Sequence, residues 1–551
     1  PYSLDGSLFT GKTIPEVVIQ PHNTQEISKI IRFSNENKIP IIPRGSGTSL
    51  AGNPLATIGG IILDLSLMDK IEKIDIADNI VIVEPGVICD VLNNELEKFG
   101  YFFPPDPGSS SAATIGGMVA NNSGGLQAFK YGVTKNYVIW LEVVLGTGEI
   151  VEFGSKTLKS VSDFNLTGLM CGSEGLLGVI TKIGLRIIPK PKFRKTGFYI
   201  FNELEKISNI VIAIREIGII PNMQEFLDKT TTEVCFRYLG GEYLKIPIGF
   251  FFLLEIDGSK EQVNEDFEKI NSICLKENPL YYKITKDPNE RSEIIKARKI
   301  ALPALSQLAP STCLEDFTVN ITNLSKALNE IENLKNQYEE KGLKIATFGH
   351  LEGNIHPTFL FNENNSEHIE LFFKAIEKLY LNIVIPLGGT ITGEHGVGFV
   401  KAEFFEKEHK NSINIMHNIK KIFDPNMILN PGKAKGWKFS TSKFFDLKSL
   451  KNQIIEKKLS SSSTLSCMRC GFCLLDCPSF SHFRKEFYSP RGKFSLIRGL
   501  IRGDLKFSKT IQNIIYSCTL CGSCLVKCPA LINTIDIFEN IRQLIYNPCS
   551  S

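Results

Sequence analysis

The chain has 551 residues, 43% hydrophobic and 22% charged, with 62 basic against 59 acidic side chains and a net charge of +3. That length exceeds one core, the composition excludes a disordered chain, and the charge balance argues against nucleic acid as a partner. The longest apolar run, Ile246 to Ile256, is broken by Pro247 and Gly249 and is too short to span a bilayer, so any membrane contact is expected to be peripheral.

In chain order, residues 1–190 alternate short apolar strands, such as Ile61–Leu65 and Ile80–Glu84, with turns rich in Gly, Ser and Thr. A helix is predicted over Thr24–Glu36, where Ile27, Ile30, Ile31 and Phe33 recur near a 3.6-residue period. Pro189-Lys190-Pro191 punctuates the chain. Residues 191–437 mix predicted strands (Gly249–Ile256, Leu343–Phe348) with predicted helices (Gln262–Lys276, Asn323–Lys341, Ser366–Val384). Residues 438–464 read as a Lys/Ser-rich linker around one short helix, and residues 465–551 as a separate domain. The fold class expected is α+β with a helical tail. Pro1 is not a natural start and no signal peptide is visible, so further residues are expected upstream.

Eight of the 14 cysteines lie between Cys467 and Cys528; Cys89, Cys171, Cys235, Cys274, Cys313 and Cys549 are scattered. Clustering in one tail signals a metal centre in a reducing compartment, hence a cytoplasmic protein, with any membrane contact on the inner face. The tail reads Cys467-x-x-Cys470-x-x-Cys473-x-x-x-Cys477-Pro478, then Cys518-x-x-Cys521-x-x-Cys524-x-x-x-Cys528-Pro529. In this run three thiolates converge on one cluster and the fourth crosses to the other. Cys467, Cys470, Cys473 and Cys528 are therefore assigned to one [4Fe–4S] centre, and Cys518, Cys521, Cys524 and Cys477 to a second. Structural zinc sites tolerate varied spacers and give the paired prolines no purpose. Two clusters form a one-electron wire, which implies a redox centre upstream.

That centre is not a dinucleotide held by a Gly-x-Gly-x-x-Gly turn, because none follows a strand. Gly6 to Thr13 matches the phosphate-loop pattern letter for letter, but no buried strand precedes it and Pro15 breaks the helix that the loop would need, so the match reads as accidental. Three other small-residue segments carry more information: Pro43 to Gly52, Pro105 to Gly125, and Gly172 to Ile180. Successive backbone N–H groups in such turns cradle a pyrophosphate, and any one alone would pass for a β-turn. Two glycine-rich turns hold three of the eight histidines, Phe348-Gly349-His350-Leu351-Glu352-Gly353-Asn354-Ile355-His356 and Gly389-Thr390-Ile391-Thr392-Gly393-Glu394-His395-Gly396. Imidazole with carboxylate suits Zn2+ or Mn2+.

On these segments the chain resembles the vanillyl-alcohol-oxidase flavoproteins, specifically the 2-hydroxyacid dehydrogenases of the glycolate oxidase and D-lactate dehydrogenase type, with a tail similar to the iron–sulfur partner subunit. The resemblance implies a two-subdomain FAD-binding domain, an α+β substrate cap and a C-terminal ferredoxin-like domain with two [4Fe–4S] clusters. By resemblance, Arg44, Gly45, Ser46, Gly47, Thr48 and Ser49 wrap the FAD pyrophosphate. Pro105, Thr114, Gly117, Asn121, Ser123 and Gly124 line the flavin site, Glu174 and Ile180 meet the adenosine side, and Asn430 returns to the flavin. Thr48-Ser49 stands where covalent members carry histidine, so FAD is expected to be non-covalent.

The resemblance makes His350, His356 and Glu394 metal ligands, His395 the base, Arg298 the carboxylate-binding arginine and Lys401 a further catalytic candidate. His350 and His356 are one residue closer than in the relatives, which predicts a shifted ligand or a lost metal. The implied reaction is oxidation of a D-2-hydroxy acid, D-lactate or glycolate, to the 2-keto acid. Electrons then pass through the clusters to a quinone or membrane-bound carrier, and a further iron–sulfur or cysteine-rich subunit is an expected partner. Two alternatives stand beside it: D-2-hydroxyglutarate dehydrogenase, disfavoured by the absence of a lysine near Cys313 to Asp316, and an electron-transfer subunit with a silent flavin domain. Relatives of the iron–sulfur subunit continue into cysteine-rich domains, so the end soon after Cys528 reads as truncated or specialised.

Overall fold

The computed structural model describes residues 2–7, 14–363, 365–433, 467–501 and 503–546. The linker and its short helix, positions 8–13 of the phosphate-loop match, and the segment containing Cys549 lie outside the described residues.

Strands β1 (Val17–Ile19), β2 (Ile41–Arg44) and β3 (Ile61–Asp64) form a parallel sheet in the order β1-β3-β2. The helix Thr24–Asn37 crosses over it; Asn23 caps its start and Lys38, at φ 55°, ends it. Ile27 and Ile31 are buried as the period predicts, whereas Phe33 faces solvent. Then come β4 (Ile71–Asp75), β5 (Ile80–Val83) and the short β6 (Tyr101–Phe102). With β7 (Val138–Val144), β8 (Ile150–Gly154) and β9 (Val179–Arg186), β4 and β5 make an antiparallel sheet in the order β4-β5-β9-β7-β8. Strand β6 pairs instead with β10 (Ile188–Pro189). Thr114 Oγ1 accepts from Gly117 N and starts the helix Ile115–Asn121, which packs its Ile115, Met118 and Val119 into the core of this second sheet.

The cap comes next. Its strands are β11 (Phe193–Phe201), β12 (Met223–Leu227), β13 (Phe250–Gly258) and β14 (Tyr281–Ile284). The rest are β15 (Ser311–Leu314), β16 (Phe317–Thr318), β17 (Lys344–His350) and β18 (Asn354–Phe361). They form one sheet, β14-β11-β13-β12-β17-β18-β15, with β16 beside β18. Strand β13 shows why its apolar run lacks alternation. Phe250, Phe252, Leu254 and Ile256 enter one core with the helices Leu204–Glu216, Lys260–Lys276 and Leu324–Glu339. Phe251 and Leu253 enter a second core on the other face, with the helices Lys229–Leu239 and Ala301–Leu305. Side chains alternate between faces, and both faces are covered. The two carboxylates of β13 are buried only with partners: Glu255 takes Arg291 at 2.5 and 2.9 Å, and Asp257 takes Lys130 of the first domain at 2.5 Å. The helix predicted over Ser366–Val384 is α-helical to Glu377 and then widens to a π-type turn over Lys378–Val384.

The tail domain is helical. Its main helices, Pro490–Ile501, Lys509–Tyr516 and Thr534–Tyr546, bury Phe494, Ile497, Ile515 and Phe538 against the cysteines. It docks on the first domain: Arg484 pairs with Asp69, Arg469 Nη2 donates to Ser7 O at 2.7 Å, and Arg491 donates to Ser46 O. Among the described residues, no helix is long and apolar enough to cross a membrane.

Candidate active site

The two histidines of the first turn sit on one hairpin. His350 lies opposite Asn354, and Phe348 opposite His356, across the β17–β18 ladder. Positions of equal parity share a face, so a six-residue separation leaves both imidazoles on the same side. Both rings therefore face Glu394 with the shortened spacing. Their Nε2 atoms lie 3.4 and 3.2 Å from Glu394 Oε1, and the ligand atoms of His350, His356 and Glu394 fall within 4.8 Å of one another.

On the neighbouring strand, Glu225 is in register with His350, and its Oε1 is 2.6 Å from His350 Nδ1. Its Oε2 accepts from Arg298 Nε, also at 2.6 Å. This carboxylate fixes the ring so that Nε2 faces Glu394, as a carboxylate behind a metal-binding histidine does. Two imidazole nitrogens and a carboxylate oxygen, one ring already oriented from behind, fit Zn2+ or Mn2+. Burial alone would lower His350, but Glu225 and Glu394 outweigh it and hold it well above the ordinary histidine range. Burial pulls His356 down to about 4 despite Glu394.

The second turn hangs on Asp316. Its Oδ2 accepts from Gly393 N (2.7 Å) and Glu394 N (2.9 Å), with His395 N at 3.3 Å, and Thr392 Oγ1 donates to both oxygens. Lys401 neutralises it at 2.5 Å and also donates to Ile391 O. Burial would raise Asp316, yet Lys401 and His395 hold it well below the carboxylate range. A Cβ at Gly393 would meet the side chains of Asn354 and Thr318, so the turn packs closely against them. The turn presents His395 stacked on His356, with ring centroids 5.1 Å apart. Its Nδ1 is 3.5 Å from Asp316 and its Nε2 3.8 Å from Glu394.

One cavity of about 390 Å³ joins these groups to the small-residue segments. Its wall carries Arg44, Gly45, Ser46, Gly47, Thr48 and Ser49, then Thr114, Gly117, Asn121, Ser123 and Gly124, with Glu174, Ile180 and Asn430. Arg298, His350, His356, Glu394 and His395 close the other end. Gly47 turns at φ 67°, a left-handed conformation that brings the Ser46–Ser49 backbone round against the cavity. A long cleft with backbone N–H groups in glycine turns at one end and acid–base side chains at the other fits a dinucleotide flavin.

Two expectations change. Lys401 is not on the cavity wall; it is a buried counter-ion that positions the His395 turn through Asp316. Pro105 lies beneath the wall, its carbonyl accepting from the Cys89 thiol, while Pro107, Gly108 and Ser109 reach the cavity. Glu174 stays on the wall, and its carboxylate also accepts from Val397 N and Gly398 N, at 2.9 and 2.8 Å, which anchors the His395 turn. Sequence reasoning missed Glu225 and Asp316. The signal for Glu225 was a charged residue inside an apolar strand; Asp316 stood in a segment noted only for the lysine it lacks.

Cys470 neighbours Cys467 and Cys528, Cys473 neighbours Cys467 and Cys470, and Cys524 neighbours Cys477, Cys518 and Cys521. A small second cavity is lined by Cys477, Cys518, Cys521 and Cys524. Cys467 and Cys470 are on the wall of the large cavity, while Cys521 is exposed.

Residues 15–154 match the FAD binding domain family, 190–434 the C-terminal domain of FAD linked oxidases, and 463–532 the 4Fe-4S dicluster domain. The chain is 41% identical over 431 residues to glycolate oxidase subunit GlcD of Bacillus subtilis (strain 168), covering 77% of this chain and 89% of that one. The chain belongs to the FAD-linked oxidases of the glycolate oxidase and D-lactate dehydrogenase family. As a member of that family it is an FAD-dependent oxidoreductase, and its tail is an iron–sulfur domain. It is also 34% identical to a mitochondrial D-lactate dehydrogenase [cytochrome] of Arabidopsis thaliana, covering 78% of this chain and 74% of that one. Among solved structures, p-cresol methylhydroxylase shares the vanillyl-alcohol-oxidase-type fold at a TM-score of 0.62 and 18% identity, covering 79% of this chain and 92% of that one.

Proposed function

We propose that this FAD-linked oxidase oxidises a small D-2-hydroxy acid, D-lactate or glycolate, to its 2-keto acid and delivers the electrons through two [4Fe–4S] clusters to a quinone or membrane-bound carrier. The observation that carries this reading is the convergence of His395, the His350–His356–Glu394 group and Arg298 on one end of the flavin cavity. Bound FAD supplies the hydride acceptor, and iron–sulfur clusters carry electrons singly. His395 removes the hydroxyl proton, its turn held in place by Asp316 and Lys401. His350, His356 and Glu394 would hold a Zn2+ or Mn2+ that polarises the hydroxy acid's oxygens. Arg298 holds the substrate carboxylate while Glu225 fixes its Nε. The facing histidines support a working site over a silent flavin domain. Glu315, a carboxylate on the same wall held by Lys401 at 3.5 Å and by the Tyr380 hydroxyl at 2.6 Å, supports a monocarboxylic substrate over 2-hydroxyglutarate.

The test is anaerobic mixing of the purified protein with D-lactate, glycolate, L-lactate and D-2-hydroxyglutarate, following flavin absorbance. Bleaching by D-lactate or glycolate, then reoxidation by a soluble quinone, is expected. Bleaching by D-2-hydroxyglutarate alone would transfer the assignment to that substrate. No bleaching by any of the four, with clusters still reducible by dithionite, would leave an electron carrier.

A further inference from the structure

The flavin cavity has one wall that the flavin-binding family does not include in its own domain. Residues of the iron–sulfur loop, Cys467 to Cys470, face the same space as the Ser46–Ser49 turn. Arg469, between two cluster cysteines, is buried and sits at φ 60°, as Leu520 does at the matching position of the second run, at φ 56°. Its guanidinium donates to Ser7 O at 2.7 Å, and Gly6, next along the chain, donates its N–H to Ser49 O. From behind, Arg491 donates to the Arg469 carbonyl at 3.1 Å and to Ser46 O, its own charge balanced by Glu486 at 2.7 and 3.0 Å. The backbone of Arg469 is thus tied to the small-residue turn through one buried arginine.

The charge balance of that end of the cavity points the same way. Arg44, another cation on that wall, is turned to the carbonyls of Leu4 and Pro54, at 3.1 and 3.4 Å, and lies over the Tyr2 ring, with the buried Asp5 near both arginines. It braces the corner of the fold. A diphosphate carries two negative charges, and burying them against N–H dipoles alone is costly.

We propose that Arg469, carried on the iron–sulfur domain, is a diphosphate-binding residue of the flavin site, so that the cluster loop completes the FAD cradle. This rests on reading the cavity as the flavin site. The tests separate the two: a wild-type chain that binds no FAD defeats the reading, whereas unchanged binding in a variant defeats only this inference.

Arg469→Gly is the informative substitution, because glycine accepts φ 60° without strain and removes only the side chain. FAD-stripped protein with its iron retained is titrated with FAD and, separately, with riboflavin, which has no phosphate, and flavin fluorescence is read. A charge-assisted hydrogen bond contributes enough for FAD affinity to fall about 10- to 100-fold, while riboflavin affinity holds. Arg469→Lys should fall between, keeping the charge without the fork. Arg484→Ala, which removes an exposed contact between the same domains, should leave FAD affinity alone. Unchanged FAD affinity in Arg469→Gly, an equal loss for riboflavin, or an equal loss in Arg484→Ala would overturn the proposal. Should Arg469→Gly fail to load iron, Arg469→Gln is read by the same titrations with the same outcomes.

Discussion

A single carboxylate, Glu225, holds the two groups with the most different tasks, the ring of His350 and the guanidinium of Arg298. An amide cannot do both, since its –NH2 would face an N–H donor on one side. Glu225→Gln should therefore weaken divalent-metal binding about 10- to 100-fold and raise the substrate KM together, read by chelator competition and steady-state kinetics. A change in only one would mean that the carboxylate serves one partner. His395→Asn keeps approximate size but removes the proton acceptor. Stopped-flow flavin reduction should slow by about 10²–10⁴-fold with FAD binding intact, and an unchanged rate would place the base elsewhere. His395 was legible in the sequence because it stands in a glycine-rich turn, where an imidazole has no packing task. Glu225 was not, because its meaning arises only when β12 pairs with β17 and sets it opposite His350. Lys401 shows the converse: its nearness in sequence to His395 suggested chemistry, but burial beside Asp316 makes it structural.

Elements tell a similar story. Strand β13 and the helix Thr24–Asn37 follow from hydrophobic pattern alone, because burial on two faces and on one leaves different periods. The π-type turn after Glu377 leaves no such mark, since one widened turn shifts the pattern by less than a residue's width of helix face. The segment Asn430–Lys433 joins the cap back to the first domain: Ile41 bridges to Leu429, and Lys433 Nζ donates to Leu55 O at 2.7 Å. Burial pulls Lys433 down to about 7. In the unfolded chain it titrates at about 10.4. Between those values the unfolded state binds more protons, so this residue's contribution to stability rises with pH from about 7 upward and is a constant penalty below. Lys433→Met should flatten the rise in thermal midpoint between about pH 7 and 9. Lys420, which burial pulls down to about 8, keeps the same sign and should preserve a smaller slope in that variant. An identical slope in wild type and Lys433→Met would mean that the ammonium is not desolvated.

At the scale of the molecule, three domains share one continuous space, and the iron–sulfur tail is more than an appendage to it. The iron–sulfur character of the tail was legible from cysteine spacing alone, because ligand geometry is written into short intervals. The docking of the tail was not legible, since Arg469 and Arg491 read as ordinary charged residues until Ser7 and Ser46 are brought against them. Two complete clusters require about eight iron and eight acid-labile sulfide per chain. Cys477→Ala should damage the centre built on Cys518, Cys521 and Cys524 more than the one beside its own motif. Two distinguishable electron-paramagnetic signals would then lose the component that is not reduced first by substrate. Loss of the first-reduced signal instead would reverse the cross-over.

The walls of the flavin cavity are made at very different times. A ribosome adds about 5–20 residues per second, and domains fold in order as they emerge. Ser46 is therefore in place on the order of 20–80 s before Arg469 exists. Asn430, also on the wall, arrives only at the end of the cap. A nascent chain can shape the glycine turns early, and on the reading of Arg469 as a flavin ligand the wall is completed only when the iron–sulfur domain has been made. Chains stopped before that domain should then release flavin faster than those that carry it.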